Sequence, residues 1–120
     1  MAKKWLHSVD VEVDQSGRPL FGIGGCSSMA GGTKTVASTA TPEPLVATST
    51  PCRLVWIGAR VDSDGNPLNT KPCFLGDADN QNVPVLPSNY EGLVIRIDDA
   101  SKVYVKVGVN GEGVVYRIFA

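Results

Sequence analysis

From residue 51 to the end, the chain breaks into short runs of alternating or β-branched residues, with polar turn signals about every 8–12 residues. No stretch of a dozen residues holds the 3.6 period of an amphipathic helix. This spacing predicts an all-β fold, a small antiparallel β-sandwich of jelly-roll-like type. The expected strands are Arg53–Ile57, Lys71–Leu75, Asn82–Leu86, Leu93–Ile97, Lys102–Val107 and Val114–Phe119. Turns are expected at Asp62–Asn66 and Gly76–Asn80, where Asp, Asn and Gly supply side-chain-to-backbone bonds and positive φ. Pro84 cannot donate to a ladder, so its strand should lie at a sheet edge. Asn110-Gly111 between two alternating runs predicts a hairpin of the last two strands. In that hairpin Val103, Val105 and Val107 should face one side and Tyr104 and Lys106 the other, one face being core and the other keeping enough aromatic and apolar surface for an interface. In the last strand Val115, Arg117 and Phe119 oppose Val114, Tyr116 and Ile118.

Two further segments precede this body of residues 51–120. In residues 1–23, Val9, Val11 and Val13 alternate with Asp10, Glu12 and Asp14, the period of a half-buried strand with an acidic face. A turn at 15–18 and a return strand at 19–23 would complete a short hairpin. A lone hairpin is marginal in water, so this one should dock on a neighbour. Residues 24–50 are rich in Gly, Ser, Thr and Ala, with little charge and no aromatic residue. So few apolar groups cannot offset the entropy of ordering the chain. Pro42 and Pro44 favour extended backbone and break any helix there. This segment is therefore expected to run as an extended arm. Removing residues 1–40 should then abolish docking and leave the body folded.

Composition and motifs exclude several functions. Hydrophobic residues make up 42% of the chain, enough for a core. Eleven basic residues scattered among twelve acidic ones leave no concentrated patch for a phosphate backbone, so no nucleic-acid partner is expected. No apolar run reaches the ~18–20 residues of a membrane span. Lys3 and Lys4 open like a signal peptide, but Ser8 and Asp10 interrupt the apolar stretch that should follow. Synthesis and retention in a cytoplasm are expected. Cys26, Cys52 and Cys73 form no CxxC pair and lie far from the single His7, which argues against zinc. Cys52 and Cys73 read as small buried hydrophobes or as a disulfide, and sequence leaves both open.

Gly31–Thr35 is not a phosphate loop, because Thr33 rather than Gly precedes Lys34. Gly22, Gly24 and Ser27 miss the dinucleotide fingerprint at its last position. Asp62–Asn66 places Gly65 too early for a calcium loop and lacks the closing Glu. Asp98 and Asp99 are adjacent, so on a strand they would point to opposite faces, and a strand end or turn is the simpler reading. His7 beside Ser8 is adjacency, not a catalytic set. No catalytic residue, metal or cofactor is expected, and the chain does not read as an enzyme. Trp56 reads as a core or interface anchor ahead of a carbohydrate platform. Trp5, near a terminus and beside Leu6, reads as an anchor into a neighbour.

Residues 44–120 resemble a short β domain found in virion proteins of tailed bacteriophages. The resemblance rests on Pro44–Ala47, Cys52–Gly58, Asn69–Pro72, Phe74–Gly76, Val83–Pro87, Leu93–Asp99, Lys102–Val105 and Gly111–Gly113. It implies a β-sandwich used as a capsid decoration (cement) protein, a fibre base or a tail-associated module. A body of about 70 residues supplies only roughly 3–5 kcal/mol from one core, so oligomerisation is the natural remedy. The expectation is a homotrimer on the capsid surface of a virion, bound to the major capsid protein. Trp5, Leu6, Val9 and Val11 are the expected docking residues, and Tyr104, Tyr116 and Phe119 the expected oligomer face. The alternative is a tail or head-fibre adaptor that binds host glycan through an exposed loop such as Asp77–Ser88.

Overall fold

A computed structural model describes residues 26–120 throughout, and before them the backbone pairing of strands β1 (Lys3–Leu6) and β2 (Val9–Glu12). The body is a small antiparallel β-sandwich. Its strands are β3 (Met29–Thr35), β4 (Glu43–Pro44), β5 (Leu54–Ala59), β6 (Cys73–Gly76), β7 (Gln81–Val85), β8 (Leu93–Arg96), β9 (Tyr104–Lys106) and β10 (Gly113–Phe119). The first sheet runs β3-β10-β5-β8 and the second β4-β9-β6-β7. Alternation decides what each strand buries. In β5, Val55 and Ile57 are fully enclosed while Trp56 between them is half-buried on the outer side. Val103, Val105 and Val107 of the second sheet and Val114 and Ile118 of the first meet in the same core. Each such side chain contributes roughly 1.5–3 kcal/mol when fully buried.

Turn chemistry appears where the sequence places it. Asp62 Oδ1 accepts from the amides of Asp64 and Asn66 at 2.9 Å, and Gly65 takes φ +83. Asp77 Oδ1 accepts from the amides of Asp79 and Asn80. β7, which carries Pro84, is an edge strand.

Two expectations are corrected, and a third falls partly outside the described residues. The segment 24–50 does not run as an arm outside the body. β3 pairs along its whole length with β10, and Val36 and Leu45 are buried core residues. Gly31 and Gly32 supply backbone hydrogen bonds rather than apolar area, which a reading based on apolar content misses. Removing residues 1–40 would therefore strip a strand from the first sheet. Next, β9 and β10 do not form a hairpin, because they belong to different sheets. The tight turn exists, with Gly111 at φ +85, but it arches from one sheet to the other. Both strands have apolar inner faces, and alternation alone does not say whether two such strands lie side by side or face to face. β10 already has β3 and β5 on its two edges, and β9 has β4 and β6. The arch is held by Gly111 N donating to Val36 O at 2.8 Å and Thr39 N donating to Asn110 Oδ1 at 2.9 Å. Finally, β2 pairs with β1, Leu6 opposite Val9 and Lys4 opposite Val11. The expected return strand at 19–23 lies outside the described residues.

Candidate functional site

The outer face of the first sheet is the most distinctive surface of the body. Alternation places Leu54, Trp56 and Gly58 of β5 there, with Val115, Arg117 and Phe119 of β10, Val94 and Arg96 of β8, and Met29, Gly31 and Thr33 of β3. Register sets Trp56 between Arg117 on one side and Val94 on the other. The Trp56 indole N–H donates to Glu91 O at 2.9 Å, which fixes the ring's orientation. The ring lies over two glycines. A Cβ on Gly58 would come within 2.7 Å of it, and one on Gly92, at φ +74, within 2.6 Å. The Arg117 side chain lies over Gly31 in the same way. Missing side chains at these glycines thus make room for an aromatic ring and a guanidinium. Between them runs a shallow groove of about 350 Å³, lined by Gly32, Thr33, Trp56, Val115, Tyr116 and Arg117. Met29 and Val94 are each 62% exposed on this face. Apolar groups, an aromatic ring and arginine are the composition of protein-docking surfaces.

The buried polar groups hold the frame. Glu112, in the arch, accepts from Thr70 N and Oγ1, each at 2.9 Å, and from Lys71 N at 3.4 Å. Burial pushes its carboxyl up, but the hydrogen bonds from Thr70 and Lys71 outweigh that and hold it below the usual range. Beside it, Asn69 Nδ2 donates to Gly113 O at 2.6 Å and Asn69 Oδ1 accepts from Gly113 N at 3.3 Å. Asp99 accepts from the Ser49 hydroxyl, from Thr50 N at 2.9 Å, and from Ser101 N at 2.9 Å and its hydroxyl at 2.7 Å. These bonds, the Ser49 one first, hold its carboxyl well below the usual range. Asp98 instead pairs with Lys102 at 2.8 Å in solvent. The adjacent acids thus end a strand and cap a short 3-10 turn, Ala100–Lys102, as their sequence suggests. Carboxylates saturated by such donors anchor loops and are poorly placed to exchange protons.

The cysteines are free thiols. Cys73 is fully enclosed, and burial pushes its thiol up to about 11. Cys52 is half-buried and donates to Ile97 O at 3.2 Å. Of the two readings left open by sequence, the unpaired one holds. Among the described residues, no group of three His, Cys, Asp or Glu side chains gathers to hold a metal, and no helix is long and apolar enough to cross a membrane.

The structure separates the expected oligomer residues. Tyr104 lies on the outer side of the second sheet, alternating with the buried Val103 and Val105. Tyr116 turns inward against the core, with its ring beside Gly32. Phe119 shares the outer face of the first sheet with Trp56. The three therefore form no single surface. Trp5 and Leu6 fall in β1, and Val9 and Val11 in β2; their side chains lie outside the described residues. Arg117, Val94 and Met29 were not singled out by sequence. Alternation does group Arg117 with Phe119, but its place beside Trp56 depends on the register of β10 with β5. A search of family models, curated proteins and solved structures finds no match to this chain.

Proposed function

We propose that the chain is a structural protein of a bacteriophage virion, a decoration protein that binds the assembled capsid and stabilises it. The observation that carries this reading is the outer face of the first sheet. The core cluster lies on the inner side of that sheet, and the outer face presents Trp56, Val94, Met29 and Arg117 on one groove-bearing surface. Exposed apolar side chains on one face with an aromatic ring and an arginine suit a protein-docking surface. The likeness of residues 44–120 to tailed-phage virion domains points to the major capsid protein as the partner. The physical logic is linkage: a protein that binds the assembled shell better than its free subunits stabilises the shell. Several copies joined to each other add avidity. In this reading the chain is made in the host cytoplasm and resides on the capsid surface.

The test is co-sedimentation of the full chain with shells of its phage that lack it, alongside unassembled coat subunits. Saturable binding to shells alone is expected, weakened at least about tenfold by Arg117→Glu, as for an interfacial arginine. Equal binding to free subunits, or none to shells, would overturn the reading. Specific hits on a glycan array without shell binding would favour a host-recognition module instead.

A further inference from the structure

The first sheet ends in two unlike edges. At one, Lys34 of β3 lies opposite the fully buried Val114 and bonds Glu43 of β4 at 3.0 Å, so an ion pair seals the gap between the sheets. At the other, β8 and β7 leave a gap. There Leu75, Val83, Ile95, Ile97 and Val103 surround an apolar cleft of about 260 Å³, and Val83 is 44% exposed although it points inward. That volume falls below the roughly 300–1,000 Å³ of small-molecule sites, and the lining offers few polar groups to orient a ligand.

Among the described residues, no strand pairs with the edge of β8 that faces this gap. Cys52 N donates to Asp98 O at 2.9 Å, which sets the phase of the β5–β8 ladder. By that phase, the N–H and C=O groups of Val94 and Arg96 serve β5, and those of Leu93 and Ile95 point away from it. Side chains alternate the other way, with Ile95 toward the cleft and Arg96 toward the outer face. A strand added here must therefore carry apolar residues on one side and would gain from acidic residues on the other.

We propose that β8 accepts strand β2, Val9–Glu12, from a second copy of this chain. The sequence Val9-Asp10-Val11-Glu12-Val13 has the required alternation: valines for the cleft, Asp10 and Glu12 beside Arg96. Both strands are four residues long. β2 pairs with β1 on one side and has no other partner among the described strands. A two-stranded ribbon is marginal by itself, and addition to a sheet edge is an established way for an extended segment to bind. The remaining edges suit it less. β7 carries Pro84, β4 has two residues, and β3 would set the valines beside Lys34. The donor is assigned to a second copy because the chain's own β1 and β2 pair as a separate two-stranded sheet that is not joined to β8. Head-to-tail donation of one element by each copy closes into a ring when the rotation permits. The inference rests on these edges and stands whether or not a capsid is the partner.

The test combines sedimentation with amide hydrogen exchange on the full chain. A closed oligomer is expected at high concentration, with slow exchange at Leu93 and Ile95 that accelerates at least tenfold on dilution to the monomer, an order-of-magnitude expectation for an opened strand edge. Arg96→Glu and the double change Asp10→Lys, Glu12→Lys should each dissociate the oligomer, and all three changes in one chain should restore it. Arg96 is exposed, so an unchanged far-ultraviolet spectrum identifies its variant as folded. Slow exchange at Ile95 in the monomer would place the chain's own β2 on the edge and overturn the proposal. A monomer at every concentration, or an oligomer indifferent to both charge reversals, would overturn it too.

Discussion

Where β3 and β4 form the edges of the two sheets, an ion pair joins them across the gap; where β8 and β7 do so, an apolar cleft is left between them. The contrast runs against composition. The sealed flank is built from the Gly- and Thr-rich segment with little apolar content, and the open flank from strands rich in Val, Ile and Leu. β3 earns its place through a continuous ladder with β10 and through close backbone approach. A Cβ on Gly113 would collide with the Lys34 carbonyl across that ladder. β8 and β7 are edge strands with one neighbour each, as β3 and β4 are, but their inward residues reach solvent. Both flanks have backbone ladders, and the polar bridge is what closes one of them; apolar residues alone leave the other open.

The sharpest way to break this comparison is truncation. Loss of residues 1–40 removes β3 and Val36 and should abolish cooperative thermal unfolding, while loss of residues 1–25 should preserve it. Melts followed by circular dichroism distinguish the two, and a cooperative transition in the longer truncation would demote the sealed flank to an accessory. A smaller effect is expected from Gly113→Ala. The obstructing atoms are backbone, so relief requires β3 to shift, at a cost of about 2 kcal/mol in urea unfolding.

The smallest effect belongs to the ion pair itself. Glu43→Gln should cost no more than about 1 kcal/mol at pH 7, because both partners are partly exposed. The hydrogen bond from Lys34, then that from the Ala37 amide, lowers the Glu43 carboxyl from its ordinary value of 4.5. A carboxylate lowered by folding stabilises the native state above that ordinary value, and the contribution is lost as pH falls through the lowered one. The difference between wild type and variant should therefore shrink from pH 7 to pH 3. A difference that grows in acid would show that the bridge does not seal the flank.

Much of the second half was legible residue by residue. The run around Trp56 became β5, the Asp62 and Asp77 turns formed with their side chains bonded as their chemistry suggests, and Pro84 marked an edge. β3 was illegible because Gly31 and Gly32 contribute no apolar signal; their value lies in what can approach them. The Trp56–Arg117 surface was half legible. Alternation assigns each residue a face, but only the pairing of β10 with β5 sets them side by side. Tyr104 and Tyr116 show the reverse case, since two tyrosines on adjacent strands of the chain ended on different sheets and opposite sides.

By itself, then, the sequence determined that the protein is all-β, where its turns fall and which residues of each strand share a face. These are local properties, written in period and turn chemistry. Which strand pairs with which was decided in three dimensions. Asn110-Gly111 demanded a tight turn and received one, but whether it closed a hairpin or arched between sheets depended on β3 and β5 having filled both edges of β10. The open edge at β8 is a consequence of the same competition for partners, and alternation within a strand carries no record of it.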